Sequence, residues 1–185
     1  MLSFTYDVEK AIQSAAIVCK FRGKGNADFG SITKLLYLAD RKSIAERGFP
    51  ITGDSMYSLP HGPVLSAILD SLRCPVGKWA DFFKRSNGYE VEAVEDPGTD
   101  KLSKKDLRII NSILESYGHN DFVSLRRITH NGREFPEYHE IDDGREPIDP
   151  EDILHSVNVS ETDIEEIRKD AQYVRAQSLI SINEN

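Results

Sequence analysis

Apolar residues recur at steps of three and four positions over most of the chain, with polar residues between them. This spacing is typical of amphipathic helices that bury one face. Serine or aspartate precedes several of these stretches and glycine or proline follows, as expected at helix starts and stops. The predicted helices are residues 7–21, a helix from an N-cap at Ser31 to a stop at Gly48, one that begins at Gly62-Pro63, residues 103–117, residues 121–130, residues 150–155, and a last helix opened by Ser160.

One stretch has the period of two that is typical of β-strands. Apolar and acidic side chains alternate over residues 89–94, and Asn87-Gly88 before them is a strong hairpin signal. We therefore predict a two-stranded hairpin over residues 79–94, and a β-bridge or extended strap at residues 55–59. The predicted fold class is mainly α: a single compact helical domain with one small β-hairpin.

The composition is that of a globular domain with a real core. The chain has 185 residues, of which 39% are hydrophobic and 29% are charged. We predict a domain over residues 1–142, with an acidic loop and helix at residues 143–185 that pack on it or extend it. Cys19 and Cys74 lie in no metal or redox motif, so we expect buried or half-buried free thiols.

Targeting signals are also lacking in the sequence. No apolar run approaches the ~18 residues needed to span a bilayer. The first residues have neither the basic region nor the long apolar segment of a signal peptide. We therefore expect a cytoplasmic protein with no membrane partner.

The charge balance bears on the kind of partner. The formal net charge is −8, which argues against nucleic acid as a partner, because phosphate contacts dominate the affinity of a protein for nucleic acid. Two local basic clusters, at residues 101–108 and 126–133, leave a local patch open. An acidic surface also suits a basic protein partner, since complementary charge speeds encounter.

The candidate chemistry is sparse. The five histidines have no metal-ligand spacing, so we expect no metal and no cofactor. The Gly-x-Ser-x-Gly pattern of a nucleophile elbow is missing as well. Asp40 and Asp54 could form a carboxylate pair, or could be a helix-surface charge and a turn-forming aspartate. His61 and His130 occupy turn-like settings and could meet in space, or could each satisfy a loop carbonyl.

The hairpin carries aromatic residues that allow two interpretations. Trp79, Phe82, Phe83 and Tyr89 could stack on bases. Acidic neighbours would repel phosphates, so core packing or a protein interface is favoured. The hairpin edges could also bind a partner by strand addition.

The densest signal lies at residues 33–72, where a connector joins two apolar stretches. Two proline-containing breaks lie about a dozen residues apart, and polar side chains lie between them. Breaks of this kind fix the conformation of the backbone between them and present polar side chains from it. These polar residues are Thr52, Asp54, Tyr57 and His61.

Four segments resemble the SocA-like antitoxin family, also known by its Panacea domain, whose members are associated with phages and mobile elements. The segments are Lys34-Leu-Leu-Tyr-Leu-Ala-Asp40, Pro50-Ile-Thr-Gly-Asp54, Leu59-Pro-His-Gly-Pro-Val64 and Leu125-Arg-Arg-Ile-Thr-His130. The resemblance covers roughly residues 5–140. An aromatic residue commonly follows the Thr-His pair in the family, and Phe135 is the nearest candidate here.

The resemblance implies a cytoplasmic antitoxin that neutralises a cognate toxin by direct binding, and not an enzyme. Delivery of the toxin to the ClpXP protease is possible in this family and is not implied for this chain. Glycine and proline residues would shape the loop, and polar residues would hold it or touch the toxin. The residues matched by motif are Asp40, Thr52, Gly53, Asp54, His61, Gly62, Pro63, Thr129 and His130.

Two rival functions stay open at this point. One is an enzyme that counters the toxin's chemistry with a cluster of Asp40, Asp54, His61 and His130. The other is a DNA-binding autoregulator, which is disfavoured by the net charge and by the lack of a recognisable recognition helix.

Overall fold

The computed structural model describes residues 1–23 and 25–183. Helices account for about half of this part of the chain, which confirms the mainly α fold class. The α-helices are α1 (Val8–Gly23), α2 (Phe29–Arg47), α3 (Ser66–Arg73), α4 (Lys104–Tyr117), α5 (Phe122–Thr129), α6 (Pro150–Ser156) and α7 (Glu161–Asn183).

Two small antiparallel sheets accompany these helices. Their strand orders are β1-β5-β4 and β3-β2-β6. The strands are β1 (Asn26–Asp28), β2 (Met56–Leu59), β3 (Gly62–Leu65), β4 (Phe83–Arg85), β5 (Glu90–Ala93) and β6 (Glu146–Pro147). The β4–β5 hairpin turns at the predicted Asn-Gly and pairs Phe83 with Ala93. Strand β2 lies at the predicted β-bridge or strap of residues 55–59, but its pairing with β3 and β6 was not predicted, so the one expected hairpin is one of two.

Helix α2 is the central element of the fold. It contacts α1, α3, α4, α5 and α6, and most of its residues from Phe29 to Ile44 are buried. Its N-cap is Asp28, whose carboxylate accepts a hydrogen bond from the amide of Ser31 at 2.7 Å. The predicted N-cap at Ser31 is therefore wrong, because Ser31 already lies inside the first turn. The stop at Gly48 is confirmed, with φ of 80° at the C-cap.

The Gly62-Pro63 segment does not begin a helix, contrary to the prediction. It belongs to β3, where Pro63 pairs with Ser58 of β2, and α3 begins only at Ser66. The φ angle imposed by proline fits an edge strand as well as a first helical turn. Pairing with β2, which the local pattern does not reveal, decides between the two.

The C-terminal part of the chain contributes to the same hydrophobic core as the preceding residues. Ile148, Ile153, Leu154 and Ile164 are buried, and α6 contacts α2. The division of the chain at residue 142 stays a prediction. None of the described helices is both long and apolar enough to cross a membrane.

The two cysteines differ in exposure. Cys19 is buried as predicted, and its thiol donates to the carbonyl of Gly25 at 3.2 Å. Cys74 is exposed, which contradicts the prediction, because it follows the last turn of α3 and faces away from the core.

Candidate binding site around the motif loop

The loop at residues 49–54, which we call the motif loop, is attached to α2 through the side chain of Asp40. One carboxylate oxygen accepts from the amides of Ile51 and Thr52 at 2.9 and 3.1 Å. The other accepts from the hydroxyl of Thr52 at 2.5 Å. Asp40 is fully buried, and burial raises the pKa of its carboxyl to about 7, against the opposing effect of these hydrogen bonds. The side chain of Asp40 therefore holds the motif loop in place against α2.

Asp54 connects the same loop to α3. Its carboxylate accepts from the amides of Ala67 and Ile68 at 3.1 and 2.8 Å. These amides belong to the first turn of α3, whose own N-cap residue, Leu65, supplies no side-chain hydrogen bond. Burial raises the pKa of Asp54 as well. Asp54 thus caps a helix that lies more than ten residues further along the chain.

Gly53 permits the close approach of the N-terminal segment to the motif loop. Its φ of 71° is in the left-handed region, and a Cβ at this position would overlap the carbonyl oxygen of Thr5. Next to it, the amide of Asp7 donates to the carbonyl of Thr52 at 2.8 Å. Only glycine fits this position without a shift of the backbone.

We expect Gly53→Ala to lower the free energy of unfolding by about 2–4 kcal/mol, because it adds left-handed strain and a backbone overlap. Urea denaturation followed by circular dichroism measures the change. Gly132→Ala is the matched control, because a Cβ there meets nothing within 4 Å, and it should change stability by less than about 0.5 kcal/mol. Equal stability of the two variants would contradict this account of Gly53.

The second part of the site is the turn between β2 and β3, formed by Pro60 and His61. The side chain of His61 is exposed and lies edge-on to the ring of Phe122 on α5, with 6.3 Å between centroids. Gly62 is buried, with φ of 99°. A Cβ there would lie 2.7 Å from Nζ of Lys34, 3.0 Å from Oγ1 of Thr129 and 3.1 Å from Cδ2 of His130.

Thr129 and His130 end α5 beneath this turn. The Thr129 hydroxyl donates to the carbonyl of Leu125 at 3.0 Å, so it is satisfied within its own helix. The ring of His130 packs on Tyr138, with 4.6 Å between centroids and 3.3 Å from Nε2 to the phenol oxygen. Burial, together with the charges of Arg126 and Lys34, lowers the pKa of His130. His130 also has a hydrogen bond with the backbone of His61, so the two histidines are neighbours.

The structure divides the motif residues into two groups rather than one network. Asp40, Thr52 and Asp54 hold the motif loop, whereas His61 and His130 lie at the β2–β3 turn. Among the described residues, no hydrogen bond links the two carboxylates to either histidine.

The most telling residue that the sequence reasoning left out of the site is Lys34. It lies on α2 within the first motif, yet its side chain is 1% exposed. Its ammonium contacts the carbonyl of Pro63 at 3.4 Å and lies 5.7 Å from the centroid of the Phe122 ring. Burial, with a smaller effect of Arg126, lowers its pKa to about 7. A lysine on the apolar face of a predicted helix was the available signal.

The hairpin aromatics have different roles. Trp79 and Phe83 are buried and their rings lie 5.5 Å apart, as expected for core packing. Tyr89 is 78% exposed and is available at the surface beside Phe29, 5.9 Å away between centroids.

An open groove of about 450 Å³ lies on the other side of the motif loop. Phe4, Phe49 and Ile51 contribute apolar walls, and Ile167 and Val174 of α7 close it. Within the described residues, no cluster of three or more histidine, cysteine or acidic side chains could hold a metal ion.

Comparisons with known proteins agree with the residues that build the site. The family model described as "Antitoxin SocA-like, Panacea domain" matches residues 32–134, from α2 through the motif loop and both hairpins to the segment after α5. The searches of curated proteins and of solved structures returned no match. Since the match spans more than half of the chain, this protein belongs to the SocA-like antitoxin family with a Panacea domain.

Proposed function

We propose that this protein is the antitoxin of a toxin–antitoxin system and neutralises a cognate toxin by direct protein–protein binding in the cytoplasm. The observation that carries the proposal is the family match over residues 32–134. Family membership supports the antitoxin role, and the geometry of the motif residues supports binding as its mechanism.

The hydrogen bonds of the two aspartates favour binding over catalysis. Asp40 and Asp54 direct their carboxylates at backbone amides of the same chain, so they order a surface rather than face a substrate. The enzyme alternative needs these carboxylates to converge with His61 and His130, which occupy the separate β2–β3 turn. The net charge of −8 also argues against a DNA-binding role.

The exposed parts of this surface are its candidate contacts. Ser55 and His61 are exposed and Tyr57 is half-buried, although their neighbours Thr52, Asp54 and Gly62 are buried. A rigid loop that presents a few side chains loses little entropy on binding, which favours affinity. We therefore place the toxin contact at the β2–β3 turn, with His61 at its centre.

The direct test is co-expression with the product of the neighbouring gene, followed by affinity purification through a tag on one partner. Wild type should retain the neighbour, and His61→Ala should weaken the complex by about tenfold, as expected for a central contact. His155→Ala, an exposed histidine on α6, is the control and should bind like wild type.

Two results would count against the proposal in different ways. If wild type retains no neighbour and does not relieve its toxicity, the antitoxin role fails. If the complex forms but His61→Ala binds like wild type, binding stands and the contact must lie elsewhere, with the hairpin around Tyr89 as the next surface to test.

The same function could include delivery of the bound toxin to the ClpXP protease. In that form, the half-life of the toxin should shorten when this protein is present and recover in cells that lack ClpX. A toxin whose half-life does not respond to this protein would leave neutralisation by sequestration alone.

A further inference from the structure

Lys34 is a buried cation without a counter-ion. Among the described residues no carboxylate forms an ion pair with its ammonium, whose hydrogen bond to Pro63 is long at 3.4 Å. An ammonium has three donors, so this single contact leaves most of its bonding capacity unused. The nearest aromatic face is that of Phe122.

Further basic groups meet at the same place. Arg126 of α5 directs its guanidinium at the carbonyl of Pro60, at 3.2 Å, and forms no ion pair with the described carboxylates. His130 follows four residues later and borders Gly62 together with Lys34. Both Arg126 and Lys34 lower the pKa of His130, so three groups that can carry positive charge face one another. Glu140 is the acidic group that acts on His130, and its effect is smaller than theirs.

Other basic side chains with little exposure among the described residues are paired with carboxylates. Arg41 binds Glu137 at 2.6 Å, and Arg47 binds Asp106. Burial of an unpaired charge is costly, and like charges that face one another add to the cost. The chain carries 31 acidic residues, so internal counter-ions are not scarce. The cluster beneath the β2–β3 turn is the exception to this pairing.

We propose that Lys34, Arg126 and His130 form a binding site for a carboxylate side chain of the partner protein. The site, which we call the basic cluster, lies between the β2–β3 turn and α5, where Arg126 and His130 are half-buried and His61 is exposed. This inference rests on the proposed function and names the chemistry by which the toxin is recognised: an aspartate or glutamate that supplies the missing counter-ion.

A single carboxylate fits the cluster better than a nucleic-acid phosphate chain. Glu140 beside His130 adds negative charge at the cluster, which would repel a polyanion. The rings of His61 and Phe122 flank the approach and can cover the stem of one acidic side chain. Because Arg126 can offer two parallel donors, a carboxylate can bind there in a bidentate manner.

Binding at the basic cluster should take up protons. The described groups that face Lys34 are Arg126, Thr129, His130, the Phe122 ring and the Pro63 carbonyl, and no carboxylate is among them. An anion favours the protonated forms of Lys34 and His130. Affinity should therefore fall as the pH rises through 7, because Lys34 loses its proton there.

The first test uses acetate as the probe on the whole chain, at constant ionic strength. Labelled lysine side chains are observed by NMR, and the Cε signal of Lys34 should shift and saturate, whereas that of exposed Lys42 should not. Lys34→Met removes the signal and should abolish the acetate-dependent shift of His130. No saturable shift at Lys34 or His130 would overturn the inference, and so would saturation by sulfate without any by acetate, because the ligand class would be wrong.

The second test uses the complex with the neighbouring gene product. Arg126→Gln should weaken it by about tenfold or more. Arg127→Gln, at the next and exposed position, is the control and should bind within twofold of wild type. Equal binding by both variants would overturn the inference while the proposed function stands. If wild type binds no toxin, the proposed function fails, the partner-carboxylate assignment fails with it, and acetate saturation alone would leave a small-anion site in its place.

Discussion

Asp40→Ala should lower the free energy of unfolding by about 3 kcal/mol or more at pH 7. The substitution leaves three buried donors without an acceptor, the amides of Ile51 and Thr52 and the hydroxyl of Thr52, and each unsatisfied donor costs about 1–3 kcal/mol. It also opens a cavity on the buried side of α2. Urea denaturation at fixed pH measures the loss.

Asp40→Asn is the matched control, because the amide oxygen can still accept from both backbone amides. It should cost about 1 kcal/mol, the typical value of one impaired hydrogen bond. If Asp40→Ala lowers the free energy of unfolding no more than Asp40→Asn does, the carboxylate does not hold the motif loop, and the role given to Asp40 above is wrong.

The difference in stability between wild type and Asp40→Asn should also depend on pH. Burial raises the pKa of Asp40 to about 7 in the folded state, above the value of about 4 of an exposed aspartate. The folded state therefore binds the extra proton between these values, and the contribution of Asp40 to stability falls as the pH rises from 4 to 7. Asp54 shifts in the same direction but is present in both proteins. The stability difference between wild type and Asp40→Asn should shrink over this range and level off above pH 7–8.

Glu137→Ala should cost about 3–5 kcal/mol, since it breaks a buried ion pair by removing one partner. Glu137 is 1% exposed and accepts from the phenol of Tyr37 at 2.5 Å and from Nε of Arg41 at 2.6 Å. Its loss leaves a fully buried hydroxyl without its acceptor and a mostly buried guanidinium without its counter-ion, with only the carbonyl of Glu134 still accepting from Arg41. Thermal and urea unfolding both report the loss, which should be larger than that of Tyr37→Phe, where the charge pair remains.

A control for Glu137 lies on the same helix as its partners. Glu46 pairs with Lys42 one turn away at 3.1 Å, and both side chains are more than 40% exposed. Glu46→Ala should cost no more than about 0.5 kcal/mol. If Glu46→Ala and Glu137→Ala lower the free energy of unfolding equally, burial does not determine the strength of the ion pair between Arg41 and Glu137.

Glu137 also bears on the binding surface. The segment around it returns after α5, and its neighbours Phe135 and Tyr138 are buried against α2 and the β2–β3 turn. Arg41 lies over the ring of Phe135 at 4.7 Å, and Tyr138 packs on His130. A substitution of Glu137 should therefore also shift the NMR signals of His130, because Glu137 helps to position the segment that packs on this histidine.

Local signals in the sequence were sufficient for many elements. The helix that begins after Ser103, the short helix that begins after Asp121 and the Asn-Gly turn of the β4–β5 hairpin all lie where they were predicted. Each depends on hydrogen bonds between residues at most a few positions apart, so the pattern of neighbours is enough to reveal it. The order of the motifs was also enough to identify the family, which the match over residues 32–134 confirms.

The sequence determined the roles of the motif residues less well than it determined these local elements. Asp40 and Asp54 both hold the motif loop through backbone amides, and the hypothesised single cluster with His61 and His130 did not form. A pattern of residue types shows which side chains are polar; it does not show which distant amides they reach.

By itself, then, the sequence determined most of the helices, one hairpin and the family. Only the tertiary structure decided that Gly62-Pro63 is a strand, that Asp54 caps α3 and that Lys34 is a buried cation. The physical reason is common to all three: the φ of a proline, the acceptors of a carboxylate and the charge of an ammonium are each compatible with several environments. Pairing with β2, the first turn of α3 and the packing of α5 against α2 select one of them.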